Sequence, residues 1–300
     1  MAIWQNYHLA QTVSDALQAL ADAPGEARLV AGGTDFLLDL QQGRHPPVHT
    51  LVDITQISEM NTLEMRQGQL YIGAARPLNQ IVDSPLVYLH ARALNESAGL
   101  IGGPQVRNTA TLGGNVAHAL PAGDGTISLL ALDAQAEIAS ASGRRRVPVS
   151  ELFLGPGRSA LDPRRELLVG FYLPAVQPGQ ASAFRRVMRP QGVAIAILNM
   201  AVWLERWQDR IQRVRISIGP AGPVPLRLKE TEAVLNNQKP DEHVLTQAVE
   251  ALLSEAHFRT SPHRATAQYR QRIAATLLHE TLTLAWQRTY DHPQAQFTGE

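Results

Sequence analysis

The chain has 300 residues, 44% of them hydrophobic and 18% charged, enough for two or three domains with sizeable cores. Its 27 basic residues balance 27 acidic ones, so no long-range attraction to a polyanion is built in and nucleic-acid binding is disfavoured. Cysteine is absent, which excludes disulfides, thiolate metal sites, iron–sulfur ligation and cysteine nucleophiles; with Lys229 and Lys239 the only lysines, the first 228 residues offer no Schiff-base or phosphate-loop lysine.

Residues 1–6 carry neither a basic nor an apolar run, and no apolar stretch reaches the roughly 18 residues of a membrane span, so a cytoplasmic chain without a membrane span is expected. Ala10, Val13, Ala16, Leu17 and Leu20 recur at helical spacing and predict an amphipathic helix over 11–22. Residues 28–31 read as a short buried strand running into Gly32-Gly33, residues 51–54 and 70–73 as further strands, and 86–100 as one helix. A short buried helix is expected at 129–132. Strands at 136–139 and 146–149 flank Ser142-Gly143 as the arms of a hairpin, and a strand over 167–173 is closed by Pro174. Residues 176–180 form the clearest linker. Beyond it come an apolar strand over 194–204, an alternating strand carrying Val214, Ile216 and Ile218, and helices over 229–237, 241–255 and 264–288. Strands alternating with helices indicate α/β organisation before the linker; strands followed by helices indicate α+β after it.

Two segments place a Gly-Gly pair at the end of an apolar run, beside hydroxyl or amide side chains: Val30-Ala31-Gly32-Gly33-Thr34-Asp35 and Thr111-Leu112-Gly113-Gly114-Asn115. Glycine tolerates positive φ and has no Cβ, so a phosphate can reach the backbone N–H groups directly. Thr34, Thr111 and Asn115 add side-chain donors. A diphosphate can therefore be held by neutral groups, and a side chain at Gly32 or Gly114 is expected to block it while leaving the chain folded. Neither loop has the glycine spacing of the dinucleotide fingerprint, and the pair alone does not name the ligand.

The run from Val106 through Ala110, Thr111, Gly113, Gly114 and Asn115, followed by Pro121 and Asp124, resembles the second flavin-binding motif of the molybdenum hydroxylase flavoproteins, the xanthine dehydrogenase and carbon monoxide dehydrogenase family. Ala31-Gly32-Gly33-Thr34-Asp35 resembles that family's first motif, Glu166-Leu167-Leu168-Val169 with Pro174 a third, and Phe184-Arg185-Arg186 a fourth. The resemblance implies an α+β chain: a two-subdomain FAD-binding fold of the PCMH type, followed by a C-terminal α+β domain of the carbon monoxide dehydrogenase flavoprotein type. The expected domains are 1–176, with α/β subdomains at about 1–55 and 56–176, and 182–290. It assigns cofactor contacts to Val30, Ala31, Gly32, Gly33, Thr34, Asp35 and Phe36, and to Ile101, Ala110, Thr111, Gly113, Gly114, Asn115, His118, Asp124 and Leu168. Within that set, residues 31–35 with Gly113 and Gly114 hold the diphosphate, and Asp124 accepts from the adenosine ribose. Ile101 packs near the isoalloxazine and Leu168 lines the flavin or adenine pocket. Phe36 stands where the family commonly has Leu, and His118 where it has a small polar residue or Asn. The implied role is electron transfer: FAD receives electrons from [2Fe–2S] clusters on a small iron–sulfur subunit. A molybdopterin large subunit holds the molybdenum cofactor, and NAD, a quinone or another acceptor takes the electrons away.

No residue of this chain is expected to be catalytic, because the chemistry belongs to the flavin. No metal site is expected either: Pro46-Pro47 separates His45 from His49, and Ser261-Pro262 separates His257 from His263. Ser159 lacks the glycine-flanked elbow of a hydrolase. Arg144-Arg145-Arg146 reads as a solvated hairpin end, and Arg185, Arg186 and Arg189 as a surface cluster. The alternatives are a self-sufficient flavin reductase or oxidase, disfavoured by the lack of a candidate proton donor, and a non-catalytic assembly protein, which has no need of both glycine loops and Asp124.

Overall fold

The computed structural model describes residues 2–189 and 195–291. Strands β1 (Trp4–Leu9), β2 (Ala27–Val30) and β3 (Val48–Asp53) form a parallel sheet in the order β1-β3-β2. Helix α1 (Val13–Asp22) crosses between β1 and β2. Thr12 caps it by accepting the Asp15 N–H at 3.0 Å, and Val13, Ala16 and Leu20 turn inward at helical spacing. The sequence reading missed β1, an edge strand with little buried surface: Tyr7 is 56% exposed. Its hydroxyl donates to Asp53 on β3, and this bond pushes the Tyr7 pKa up to about 12. Helix α2 (Phe36–Gln41) follows the loop after β2.

The second sheet is antiparallel, in the order β4 (Leu63–Arg66), β5 (Gln69–Gly73), β10 (Glu166–Pro174), β6 (Gln135–Ser140), β7 (Gly143–Pro148). A small hairpin, β8 (Phe153–Gly155) with β9 (Arg158–Ser159), precedes β10. The α/β expectation for residues 56–176 is thus corrected to α+β. Short turns make the antiparallel pairing possible: Gln67 and Gly68, both at positive φ, close β4 onto β5. Between β5 and β6 lie α3 (Leu78–Val82), α4 (Pro85–His90), α5 (Arg92–Leu100), α6 (Pro104–Arg107), α7 (Leu112–Ala117) and α8 (Asp124–Ala131). The single helix expected over 86–100 is broken at Ala91 (φ −141°, ψ 53°), which is fully buried and redirects the chain so that Val87 and Leu94 both face the core. The arginines of β7 are exposed on the β6–β7 hairpin, as expected, and are paired along its surface. Arg144 makes two bonds to Glu59 at 2.8 and 2.9 Å, Arg145 bonds Glu166 at 3.0 Å, and Arg146 stacks 3.4 Å above Tyr172. One apolar core underlies both sheets, joining Ala16 and Leu20 of α1 to Ile72, Ile138 and Phe171 of the second sheet and Leu112 of α7.

After residue 179 the chain forms β11 (Gln180–Val187), β12 (Leu198–Trp207), β13 (Arg210–Gly219) and β14 (Leu226–Arg227), antiparallel in chain order, then α9 (Lys229–Leu235), α10 (Glu242–Glu255) and α11 (Ala267–Arg288). The strand expected over 194–204 begins later and runs further, and residue 194 lies outside the described residues. Its polar end stays extended because the backbone ladder continues, Glu205 pairing with Gln180 of β11 and Glu205 to Trp207 with β13; Glu205 also accepts from Arg213 at 2.7 Å. Leu198, Met200, Val202 and Leu204 alternate onto one face and meet Leu252, Leu277, Leu278 and Leu282 of the helices. A separate cluster of Ala93, Ile127, Ala131, Phe184 and Ala201 joins α5 and α8 to β11 and β12. Among the described residues no helix is long and apolar enough to cross a membrane.

Candidate cofactor site

The two glycine loops, about 80 residues apart in sequence, are packed against each other. The first leaves β2 at Val30, whose side chain is buried, and turns through Gly33 at φ +63° into α2. The second is fastened to the antiparallel sheet: the Gly113 N–H donates to Ala74 O at 2.9 Å, the Leu78 N–H to Ala110 O at 2.9 Å, and Ala74 N–H to Val169 O at 2.9 Å. A Cβ at Gly32 would overlap the Thr109 carbonyl and sit 2.9 Å from Ala110 Cα. Gly32 therefore serves the contact between the loops.

The backbone groups of the loops differ in what they leave free. Among the described residues, the N–H groups of Gly32, Gly33, Thr34 and Asp35 meet no protein acceptor. Four consecutive unspent donors around a positive-φ glycine make a concavity suited to an anion. Asp35 is exposed, and its side chain makes no cap bond to α2; a carboxylate repels an anion, so its contribution comes from the amide. In the second loop the amides of Gly113, Gly114 and Asn115 are already used. Gly113 donates to Ala74, Gly114 to Thr111 Oγ1 at 3.0 Å, and Asn115 to Thr111 O at 3.0 Å. The diphosphate role expected of Gly113 and Gly114 therefore does not draw on unspent amides. What this loop leaves open is space: a Cβ at Gly113 would lie 2.5 Å from Ala74 O, whereas among the described residues one at Gly114 meets only Thr111 Oγ1, at 3.2 Å. Asn115 Oδ1 accepts from the Thr126 N–H at 3.2 Å, which leaves its NH2 as a donor.

Thr111 is the residue on which α7 begins. It is 4% exposed, its backbone is extended, and its hydroxyl caps Gly114. Thr111→Ala is expected to lower stability by about 1 kcal/mol, the usual worth of an N-cap, read as a shift in the urea midpoint at unchanged slope.

The remaining expected contacts are spread around these loops. Phe36 opens α2 and packs edge-on to His45 with centroids 5.1 Å apart. Ile101 ends α5, half-buried, and its carbonyl accepts from Arg107 at 3.4 Å. His118 ends α7 and is half-exposed. Leu168 lies beside the irregularity in the pairing of β10 with β6 and belongs to the apolar core. Ala31 is half-buried between Val30 and Gly32, and Ala110 is buried. An open cleft of about 400 Å³ runs between α5 and β11, lined by Glu96, Leu100, Phe184, Arg185 and Arg186 among others, and it adjoins Ile101 through Leu100.

Asp124 is buried, and its carboxylate accepts from Arg186 at 2.5 Å and from Asn199 at 2.5 Å. Burial pushes its carboxyl up from the ordinary range, against the pull of Arg186 and Asn199. Arg186, expected on the surface, is corrected to a buried position, its side chain 6% exposed. Sequence reasoning missed Asn199 altogether. Its signal was present: a single amide in the apolar run from Ala196 to Leu204 has to find a buried partner.

The residues present fit a flavin dinucleotide: unspent amides for a diphosphate, and an open place at Gly114 that any Cβ would fill. The family model described as the FAD binding domain in molybdopterin dehydrogenase matches residues 3–176, and that of the CO dehydrogenase flavoprotein C-terminal domain matches residues 182–285. The chain is 32% identical over 284 residues to a xanthine dehydrogenase FAD-binding subunit of Escherichia coli O157:H7, covering 93% of this chain and 95% of the relative. It is 28% identical over 282 residues to the carbon monoxide dehydrogenase medium chain of Hydrogenophaga pseudoflava, covering 94% and 97%. A carbon monoxide dehydrogenase structure from the same organism superposes with a TM-score of 0.89 at 28% identity, over 95% of this chain and 98% of that one. Quinoline 2-oxidoreductase from Pseudomonas putida 86 gives 0.86 at 25% identity, over 95% and 98%. The chain belongs to the family of FAD-binding medium subunits of molybdenum-containing dehydrogenases, and is an oxidoreductase flavoprotein subunit.

Proposed function

We propose that this chain is the electron-transfer subunit of a cytoplasmic complex of three kinds of chain. A small iron–sulfur subunit hands over electrons, a molybdopterin large subunit oxidises the substrate, and NAD or another acceptor collects the electrons here. The absence of cysteine requires that any iron–sulfur cluster be held by another chain. The names of the relatives, a dehydrogenase FAD-binding subunit and a medium chain, support the same division of labour.

The observation that carries the reading is the row of four unspent amides at Gly32, Gly33, Thr34 and Asp35, set against the open space at Gly114. These amides hold the diphosphate, with the Asn115 NH2 donating from the other side. Asp124 keeps a second lone pair on each oxygen for ribose hydroxyls. Val30, Ala31, Phe36 and Ala110 shape the cradle, Ile101 packs near the ring system with His118 as a neighbouring contact, and Leu168 backs the pocket. The cofactor domain is 1–176 and the C-terminal domain 182–290. FAD, when bound, supplies the redox chemistry that no side chain of this chain has; the chain's own work is to bind, orient and leave an edge open to its partners.

The purified chain is expected to bind one FAD without a covalent link, measured by its visible spectrum and by release on acid precipitation. Co-expressed with its iron–sulfur and molybdopterin partners, it should elute with them on size exclusion and reduce NAD or another acceptor only as part of the complex. A colourless chain that titrates no FAD sinks the cofactor assignment. A chain that elutes alone and oxidises a small substrate at enzymatic rates sinks the partnership.

A further inference from the structure

Asp124 opens α8, and its carboxylate is held from beyond the linker, by Arg186 of β11 and Asn199 of β12. Asn199 Nδ2 also donates to Ala122 O at 3.1 Å, and Gly219 of β13 lies so close to Pro121 that a Cβ there would overlap the Pro121 carbonyl. The C-terminal sheet thus grips residues 121–124. The same stretch abuts the second glycine loop. Thr126 N–H donates to Asn115 Oδ1 at 3.2 Å, and a Cβ at Gly123 or Gly125 would come within 3.2 or 3.0 Å of that oxygen. A shift of residues 121–126 therefore moves the Asn115 side chain.

Stability does not explain a charge pair at this place. A buried ion pair roughly breaks even against apolar side chains of the same volume. Arg186 Nε and Asn199 Oδ1 are buried with no hydrogen-bond partner among the described residues, so the arrangement is not optimised as a fastening. The other end of α8 is already secured without it: Ser217 Oγ donates to Ile127 O at 2.5 Å, Arg215 Nε donates to Ala131 O at 3.0 Å, and Ile127 and Ala131 pack on Phe184 and Ala201. What the charged end has that the other end lacks is contact with the glycine loop.

We propose that Arg186 and Asn199 are positioning residues of the flavin site, through which the C-terminal domain sets residues 121–126 and, by way of Thr126, the donor amide of Asn115. The inference rests on the FAD reading above. It makes the C-terminal domain part of the cofactor site, although neither side chain reaches the glycine loops.

The test uses the full chain, with the FAD dissociation constant from flavin fluorescence, the visible circular dichroism of the bound flavin, and urea unfolding of the apoprotein. Asn199→Ala and Arg186→Gln are each expected to weaken FAD about tenfold, roughly one factor of 10 in the equilibrium constant, and to change the dichroism of the bound flavin. Arg186→Lys, which keeps the charge, should recover part of the affinity. Arg215→Gln removes a bond from the other end of the same helix; it is expected to cost stability and leave the FAD constant within about twofold, as separate sites do. Folded Asn199→Ala with wild-type affinity and dichroism overturns the inference, and so does Arg215→Gln that weakens FAD as much as the others. If Arg186→Gln does not fold, Asn199→Ala and Arg186→Lys decide. A wild-type chain that binds no FAD overturns the cofactor reading itself, whereas a wild-type chain that binds FAD beside unmoved variants overturns only the positioning role.

Discussion

Gly114→Val is expected to leave the chain folded and to abolish FAD retention. Gly114 is the third residue of α7, and among the described residues a Cβ there meets only Thr111 Oγ1 at 3.2 Å, close enough to require a shift of a few tenths of an ångström and no more. Replacing glycine within a helix also lowers the entropy lost on folding, so the apoprotein should stay within about 1 kcal/mol of wild type. On the proposed reading of the site, the branched side chain instead occupies the place a diphosphate needs. A loss of about 100-fold in affinity, near 2.7 kcal/mol, is expected for Val, and a smaller one for Ala. The measurement is a pair: FAD titration by fluorescence, and urea unfolding without FAD. Full FAD occupancy in the Val variant would mean that the second loop is a turn and nothing more.

Gly32→Val and Gly113→Val are expected to fail for a different reason, by disrupting the fold. At Gly32 the added Cβ runs into the Thr109 carbonyl; at Gly113 it comes 2.5 Å from the Ala74 carbonyl and 2.7 Å from Ala74 Cβ. These neighbours are largely backbone in well-packed segments and cannot rotate away as the end of a long side chain can. The cost should be about 3 kcal/mol or more, at the severe end for single substitutions. It should appear in the apoprotein, with the urea midpoint falling whether or not FAD is present. Gly114→Val and Gly113→Val, one residue apart, thus separate the two uses of glycine: room for a ligand, and room for the protein. Apoprotein stability equal to wild type in the Gly113 variant would refute the packing argument.

Much of the element order was legible in the sequence where periodicity was strong. α1, α10 and α11 follow from apolar residues at helical spacing, and β6 and β7 from short runs on either side of a Ser-Gly turn. The composition alone settled that this chain ligates no iron–sulfur cluster, because it has no cysteine. The two glycine loops were visible as a pair of anion-compatible turns. Periodicity is a local property, however, and says nothing about strands whose stability comes from their neighbours. β1 is polar and exists because its backbone pairs with β3, and β12 extends past its apolar run because its backbone goes on pairing with β11 and β13. The same limit applies to the site. All four glycines look alike in the chain, and only the packed structure distinguishes Gly32 and Gly113, pressed against backbone carbonyls, from Gly114, which faces open space. Arg186 looks like one of a cluster of surface arginines until β11 carries it beside Asp124, 62 residues earlier. Residue identity determined which chemistry was available; contacts between distant segments decided which groups were spent inside the fold and which were left for a cofactor.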